Sequence, residues 1–288
     1  MARLSLIAAG VLLASVFMQL GGPRRLRLTP PDIVWIEAGE FSMGASDPEV
    51  LHAVEMCVDS RPFPIRSLAP SGDGGCSPAR FLVESPRRRV FVNAFGIDRT
   101  EVTRAAYGRC VRAGRCRPSN VPDDDLRLAA PTMPVTGINV DEAARYCAFA
   151  GGRLPTETEW ERAARGDRPW SRFPWGRNYN SHLANHGAWP EGPDDRDGFA
   201  MAAPVGSFPD GASPHGLLDA AGNAWEWTSS SPRTRDVGMG ADPGVYRVIR
   251  GGSWSQPPEV MRVTHRTWLP LAERHADVGV RCAHDRRR

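Results

Sequence analysis

Six cysteines, at positions Cys57, Cys76, Cys110, Cys116, Cys147 and Cys282, offer the widest choice of chemistry in this chain of 288 residues. No two of them form a Cys-x-x-Cys unit of the zinc type, and they are scattered along most of the chain, so metal binding is the weaker reading. An even number in an exported chain reads instead as up to three disulfides. A bridge between Cys147 and Cys282 would close a loop worth roughly 4 to 5 kcal/mol in the chain-entropy model. Ser253, His265 and Asp277 supply the residue types of a nucleophilic triad, but no Gly-x-Ser-x-Gly elbow supports one. All 36 basic residues are arginine, which excludes Schiff-base chemistry and a phosphate-loop lysine.

The elements that must position these residues are short. An apolar run from Leu4 to Leu20 resembles a signal-peptide core and is slightly short for a membrane span. Arg24, Arg25 and Arg27 follow it and oppose translocation of that end, so an uncleaved membrane anchor through residues 4–20 stands beside a cleaved signal. The chain is read as exported: periplasmic, secreted or membrane-anchored. A formal charge of +3 demands no nucleic-acid partner. Hydrophobic residues at 41%, with 29 Gly and 26 Pro, describe a globular chain rich in turns. The arginine-only basic usage hints at the coding bias of a GC-rich bacterial genome.

From Ile33, IVWIEAGEFSMG reads as two short strands and RRVFVNAFGIDRTEVT as a further alternating stretch. Three helices follow: about Thr103 to Gly114, about Asp141 to Ala150 capped by Asn139, and from Thr156, where Thr156 and Glu159 make a capping box, to Gly166. Beyond Gly166 regular periods vanish as far as Ser229. Between residues 45 and 80 a Pro- and Gly-rich stretch holds Cys57 and Cys76 and reads as a disulfide-pinned surface loop. The organisation is therefore a signal peptide or anchor (1–22), a linker (23–32), one domain (33–284) with that insertion, and a basic, solvated tail (285–288).

Eight blocks in order carry a resemblance: FSMG, IDRTEVTRAAYGRCV, MPVTGINVDEAARYCAFAGGRLPTETEWERAARG, FPWG, DGFAMAAPVGSFP, GLLDAAGNAWEWT, RGGSW and GVRCA. Together they resemble the sulfatase-modifying factor, or formylglycine-generating enzyme, family. The resemblance implies an α+β variant of the C-type-lectin fold with little regular secondary structure. It also implies a bridge between Cys147 and Cys282 and a local bridge between Cys110 and Cys116.

The family binds calcium through two loops, and calcium takes six to eight oxygen ligands, backbone carbonyls included. In ANHGAWPEGPDDRDGFA the matching positions are Asn185 and Asp197 through side chains, and His186 and Phe199 through carbonyls. In GLLDAAGNAWEW they are Asp219 and Glu226 through side chains, and Gly222 and Ala224 through carbonyls. An isolated D-x-x-G-N-x-x-E run would read as a turn; within the resemblance it reads as a structural calcium site.

The family's oxidases convert a substrate cysteine, in a Cys-x-Pro-x-Arg context, using Cu(I) held by two thiolates just after RGGS. Soft thiolates are what such a site requires. Here Gln256 occupies the first cysteine position and PPEVM the region of the second, so copper is not expected. Met261 and His265 are a thin substitute ligand set, and the seven histidines show no H-x-x-x-H-x-E arrangement of the kind the iron-dependent branch uses. The resemblance thus implies an exported, non-catalytic domain stiffened by calcium, or a scaffold in an envelope complex. Ser253, Trp254, Gln256 and Arg266 would form its groove for a peptide, a glycan or an envelope protein. The alternative is an oxidoreductase with unconventional metal ligands. Trp225 and Trp227 read as core.

Overall fold

The computed structural model describes residues 32–61, 76–188, 192, 194–238 and 240–286. The signal or anchor segment and most of the linker lie outside the described residues, as do 62–75 of the insertion and the last two residues of the tail. Three small sheets carry the fold. The first pairs β1 (Ile33–Ile36), β4 (Phe95–Asp98) and β9 (Ala283–His284), all antiparallel, so the first and last strands among the described residues share one sheet. The second is the hairpin-like pair β2 (Gly39–Met43) and β3 (Arg88–Val92). The third runs β7 (Arg266–Pro270), β6 (Tyr246–Arg250), β5 (Trp225–Trp227), β8 (Val278–Gly279), with only β5–β8 parallel.

The three helices expected from their caps are α3 (Arg104–Arg112), α5 (Val140–Phe149) and α6 (Glu157–Arg165). Each begins where a side-chain oxygen takes an orphan amide. Thr103 Oγ1 accepts from Ala106 N at 3.1 Å, Asn139 Oδ1 from Glu142 N at 3.0 Å, and Thr156 Oγ1 from Glu159 N at 3.1 Å. In α5 and α6 the glutamate three residues on reaches back to the cap amide, completing the box. Gly166 ends α6 at φ +66°, where a side chain would also meet Pro214. Three further short helices, α2 (Pro78–Leu82), α4 (Leu126–Ala129) and α7 (Thr234–Val237), sit in the connections.

The insertion corrects the sequence reading. Its first part is no surface loop: residues Asp47–Asp59 form α1, the longest helix among the described residues. Ser46 and Glu49 box its start, a proline occupies its first turn, and Val50, Ala53 and Cys57 face inward with Phe81 in a small core. That amphipathic stretch adjoins the Pro- and Gly-rich residues 62–75, whose composition is that of a loop. The pinning itself is present, since Cys57 and Cys76 are bonded with Cα atoms 5.5 Å apart. Cys110–Cys116 and Cys147–Cys282 are bonded as well, so all six cysteines are oxidised. The tail is partly tied down: His284 is buried against Asp98 at 2.7 Å, Asp285 pairs with Arg153, and Arg286 pairs with Glu37 beside the Trp35 ring.

What holds the long irregular stretches is a set of buried arginines. Arg281 is fully buried; its Nε and Nη2 donate to Glu226 at 2.6 and 2.7 Å, and its remaining donors reach the carbonyls of Arg99 and Leu218 at 2.9 Å each. Arg250 donates to Glu161 at 2.6 Å and to carbonyls of residues 263–265. Arg165 and Arg162 do the same for the β2 edge. A buried pair broken on one side leaves an uncompensated charge. Arg281→Met is therefore expected to destabilise the domain by about 3–5 kcal/mol, and Arg281→Lys to recover only part of it because an ammonium cannot reproduce the fork; urea unfolding of the three proteins measures both.

Candidate functional site

The segment after β6 turns through Gly251 and Gly252, at φ +102° and +80°, and delivers residues 253–266 to one side of the third sheet. There a groove of about 770 Å³ opens. Trp225, Trp254 and Trp268 supply much of its apolar wall, and Gln256, Arg266 and Asp277 its polar edge. Three of the four expected groove residues, Trp254, Gln256 and Arg266, line it directly. Ser253 lies just beneath: its Oγ donates to Asp277 Oδ2 at 2.7 Å, and Ser255 Oγ donates to the same oxygen at 2.9 Å. Trp227 is core, fully buried with its Nε1 on the carbonyl of Ile138. Trp225 serves both, packed in the main core and edging the groove.

The wall opposite comes from the insertion, through Ala79, Arg80 and Val83. Glu84 fastens that wall: it accepts both Nη atoms of Arg262 at 2.7 Å and lies 2.9 Å from His265 Nδ1. Arg262 and His265 hold the Glu84 carboxyl below its ordinary value in spite of burial, while burial pushes His265 down to about 4. A neutral imidazole donating from Nδ1 to an ionised Glu84 follows. Arg266 is clamped too, by Glu157 at 2.6 and 2.9 Å and by Asp236 at 2.6 Å, so its charge is already matched where it meets the groove.

This geometry answers the triad question. Ser253 meets Asp277 without an intervening histidine, and His265 is turned to Glu84, so the three residues are not arranged as nucleophile, base and orienter. Met261 is fully buried in a cluster with Phe173, Ala184 and Ala221. Among the described residues no three His, Cys, Asp or Glu side chains converge as a metal site.

Each of the two loops expected to hold calcium carries two of the expected side-chain ligands, the rest of its set being carbonyls. At the first, Asn185 is buried and its Nδ2 donates to Met201 O and Asn223 Oδ1, while its Oδ1 has no donor. Asp197 accepts from the amides of His186 and Phe199 at 2.8 and 3.0 Å, and burial raises its pKa. The His186 imidazole is occupied elsewhere, donating from Nδ1 to Gly187 O and accepting from the Tyr179 hydroxyl at 2.8 Å.

At the second loop, Asp219 sits at φ +55° and Asn223 at φ +59°, a folded-back turn between Gly216 and Trp225. Asp219 Oδ2 accepts from Gly206 N at 2.5 Å, and its carboxyl faces that of Glu101, with which it shares a side-chain hydrogen bond. Both oxygens of Glu226 are engaged by Arg281, and Trp160 Nε1 adds a bond at 2.6 Å, which makes Glu226 the least available donor of the expected set. Gly222 has no room for a side chain, since a Cβ there would meet Asn185 O at 1.9 Å.

The structure adds a residue that sequence reasoning missed. Glu101 is buried beside Asp219; its Oε1 accepts from Asn223 Nδ2 at 2.8 Å. Burial, then the charges of Asp219 and Glu226, push its carboxyl well up. No spacing rule could have found it, because Glu101 and Asn223 are 122 positions apart. The buried Asn185 Oδ1, which has no donor, and the neighbouring Asp219 and Glu101 carboxyls are oxygens of the kind a calcium ion takes, and a cation there would displace the proton those two carboxyls share.

A loop-rich α+β domain with three disulfides and a tryptophan-walled groove beside an R-G-G-S-W turn is the class of protein that fold and site define. The chain belongs to the sulfatase-modifying factor enzyme 1-like domain family, whose model matches residues 21–286. It is 38% identical over 158 residues to an inactive C-alpha-formylglycine-generating enzyme 2 of Bos taurus, covering 52% of this chain and 50% of that protein. It is 38% identical over 248 residues to a hercynine oxygenase of Mycolicibacterium thermoresistibile, covering 70% and 53%. The chain thus spans about half the length of these relatives. The structure of PvdO from Pseudomonas aeruginosa superposes with a TM-score of 0.64 at 23% identity, covering 88% of this chain and 94% of that one, and CarF with 0.57 at 18%, covering 89% and 99%. Both show the same variant C-type-lectin-like fold.

The buried His265 generates a pH prediction. Its folded pKa of about 4 lies below the unfolded value near 6.5, so between those values the unfolded chain binds the extra proton and stability falls as pH falls. This single group should cost about 3 kcal/mol on going from pH 7 to below 4. Denaturant midpoints across that window, compared with His265→Gln, measure it; a His265 ring signal that titrates near 6.5 would refute the neutral buried imidazole.

Proposed function

We propose that this chain is an exported, non-catalytic member of its family: a calcium-stiffened, disulfide-bonded domain that binds a peptide, glycan or envelope-protein partner in the tryptophan-walled groove. One observation carries the reading. Copper oxidation of the family's kind needs two thiolates beside the groove, and here all six cysteines are in disulfides while Gln256 and buried Met261 occupy that segment. The similarity over half the chain to a protein named as an inactive formylglycine-generating enzyme supports it. The disulfides support an oxidising, exported location. No helix among the described residues is long and apolar enough to cross a membrane, so anchoring would fall to residues 4–20, outside the described residues.

The groove can bind without reacting. Its tryptophans offer wide apolar faces to a ligand. Asp277 uses one oxygen for Ser253 and Ser255, and its other oxygen has no hydrogen bond among the described residues. A partner would then present an apolar group to the tryptophans and a donor to Asp277.

Calcium, where bound, supplies charge and rigidity and no chemical step. Asn185, Asp197 and Asp219 would hold it, with Glu101 alongside. Metal analysis of the purified oxidised domain should find calcium at about one or two equivalents and no stoichiometric copper or iron, and a chelator should lower the melting temperature. A Cys-x-Pro-x-Arg peptide given Cu(I) and oxygen should show no formylglycine by mass spectrometry; turnover would overturn the non-catalytic reading.

A further inference from the structure

A second concavity, sharing no lining residue with the groove, runs along α3 and holds about 710 Å³. Three guanidiniums line it, from Arg104, Arg109 and Arg112, and Asp123 is the one acid in its lining among the described residues. Arg104 is already matched: it donates to Asp123 at 2.6 Å and reaches the Val121 carbonyl. Arg109 and Arg112 make no ion pair within 4.0 Å among the described residues. The Nε of Arg109 is also shut off from solvent with no acceptor. No acidic side chain among the described residues therefore neutralises the Arg109 or Arg112 guanidinium, which leaves both charges open to a ligand.

The walls are fixed before any ligand arrives. Cys110–Cys116 closes the end of α3, and the Tyr107 hydroxyl donates to the Arg117 carbonyl at 2.9 Å. On the facing strap, Ser119 Oγ donates to Thr136 O at 2.6 Å and Asn120 N to Gly137 O at 3.0 Å. A concavity held from both sides keeps its shape and loses little freedom on binding. Arg115 and Arg117 follow on the exposed disulfide loop, again without an ion pair among the described residues, so the positive field extends past the rim.

We propose that this concavity binds a small ligand with two oxyanion groups, one taken by Arg109 inside and one by Arg112 at the rim. Guanidinium forks suit phosphate, sulfate and carboxylate alike, and their weak hydration makes them the cations that tolerate a partly buried site. Asp123 would act against the ligand by holding Arg104 and by its own charge.

Calorimetric titration of the intact oxidised protein with pyrophosphate, citrate and sulfate at 50 mM salt tests this. Pyrophosphate or citrate should bind at a single saturable site and sulfate distinctly more weakly; which of the two binds more tightly distinguishes a phosphorylated from a carboxylated ligand. Arg109→Gln and Arg112→Gln should each weaken binding about tenfold, in line with loss of one charge-assisted contact. Asp123→Asn, at a fully exposed side chain, should tighten it a few-fold. Arg168→Gln, on an exposed turn elsewhere, should change nothing. Melting temperatures keep a folding failure apart from a binding loss. Absence of saturable heat up to millimolar pyrophosphate and citrate, equal weakening by Arg168→Gln, or sulfate binding as tightly as pyrophosphate would each overturn the proposal.

Discussion

The fold depends on one kind of contact: a buried guanidinium that takes a carboxylate with two donors and gives the rest to loop carbonyls. Regular elements satisfy their own backbone groups, whereas the stretch from Gly166 to Ser229 has almost none and must find partners elsewhere. Arginine is suited to this because it carries five donors in a fixed plane and stays charged. Arg281, Arg250 and Arg262 each pair with a buried glutamate; Arg281 and Arg250 also fix carbonyls from other connections of the chain, and Arg262 takes the nearby carbonyl of Glu259. The desolvation of each ion is large, and the completeness of its hydrogen bonding is what makes it tolerable.

Helix α6 is where these contacts converge. Trp160 is fully buried, lies under the Arg250 guanidinium at 5.2 Å, and donates to the same Glu226 that Arg281 holds. Glu157 clamps Arg266, Glu161 reaches both Arg250 and the amide of Gly44, and Arg162 and Arg165 secure the β2 edge. One helix of nine residues thereby ties the second loop, the groove segment and the insertion into one arrangement. The pairs of Glu161 with Arg250 and of Glu84 with Arg262 lie behind the groove's lining, while the Arg266–Asp236 pair forms part of it.

Much of this organisation was legible in the sequence, for reasons local to it. Thr156 with Glu159 and Asn139 with Glu142 announce helix starts because the capping bonds span three residues. The alternation in IVWIEAGEFSMG announces β1 and β2 for an equally local reason. Cys147–Cys282 came from the resemblance, and no spacing along the chain would have paired them. What stayed hidden is what depends on distance in sequence. Glu84 meets Arg262 and His265 across 178 and 181 positions, and Glu101 meets Asn223 across 122. The absence of lysine read as coding bias, yet a lysine at 250, 262 or 281 could not make the forked contacts found there. Helix α1 was hidden differently: its amphipathic run lies beside a Pro- and Gly-rich stretch whose composition dominated the window.

The segment 256–261 is packed in a way that differs from what a thiolate-held copper centre would need. A copper centre there would need soft ligands left open to substrate. Here the Gln256 carbonyl accepts from the Gly187 amide at 2.9 Å, stitching the segment to the loop that carries Asn185 and His186. Val260 joins the main core and Met261 a second cluster, where its side chain also packs against the close glycines at 222 and 252. The Glu259 carboxylate is buried with no hydrogen bond among the described residues, 3.8 and 3.9 Å from Arg61 and Arg80 of the insertion. The insertion and this segment therefore hold each other through charge, as α1 and the 258–260 turn pack together. A strip of chain immobilised on three sides is suited to presenting a fixed surface, and poorly suited to offering a metal an open coordination position.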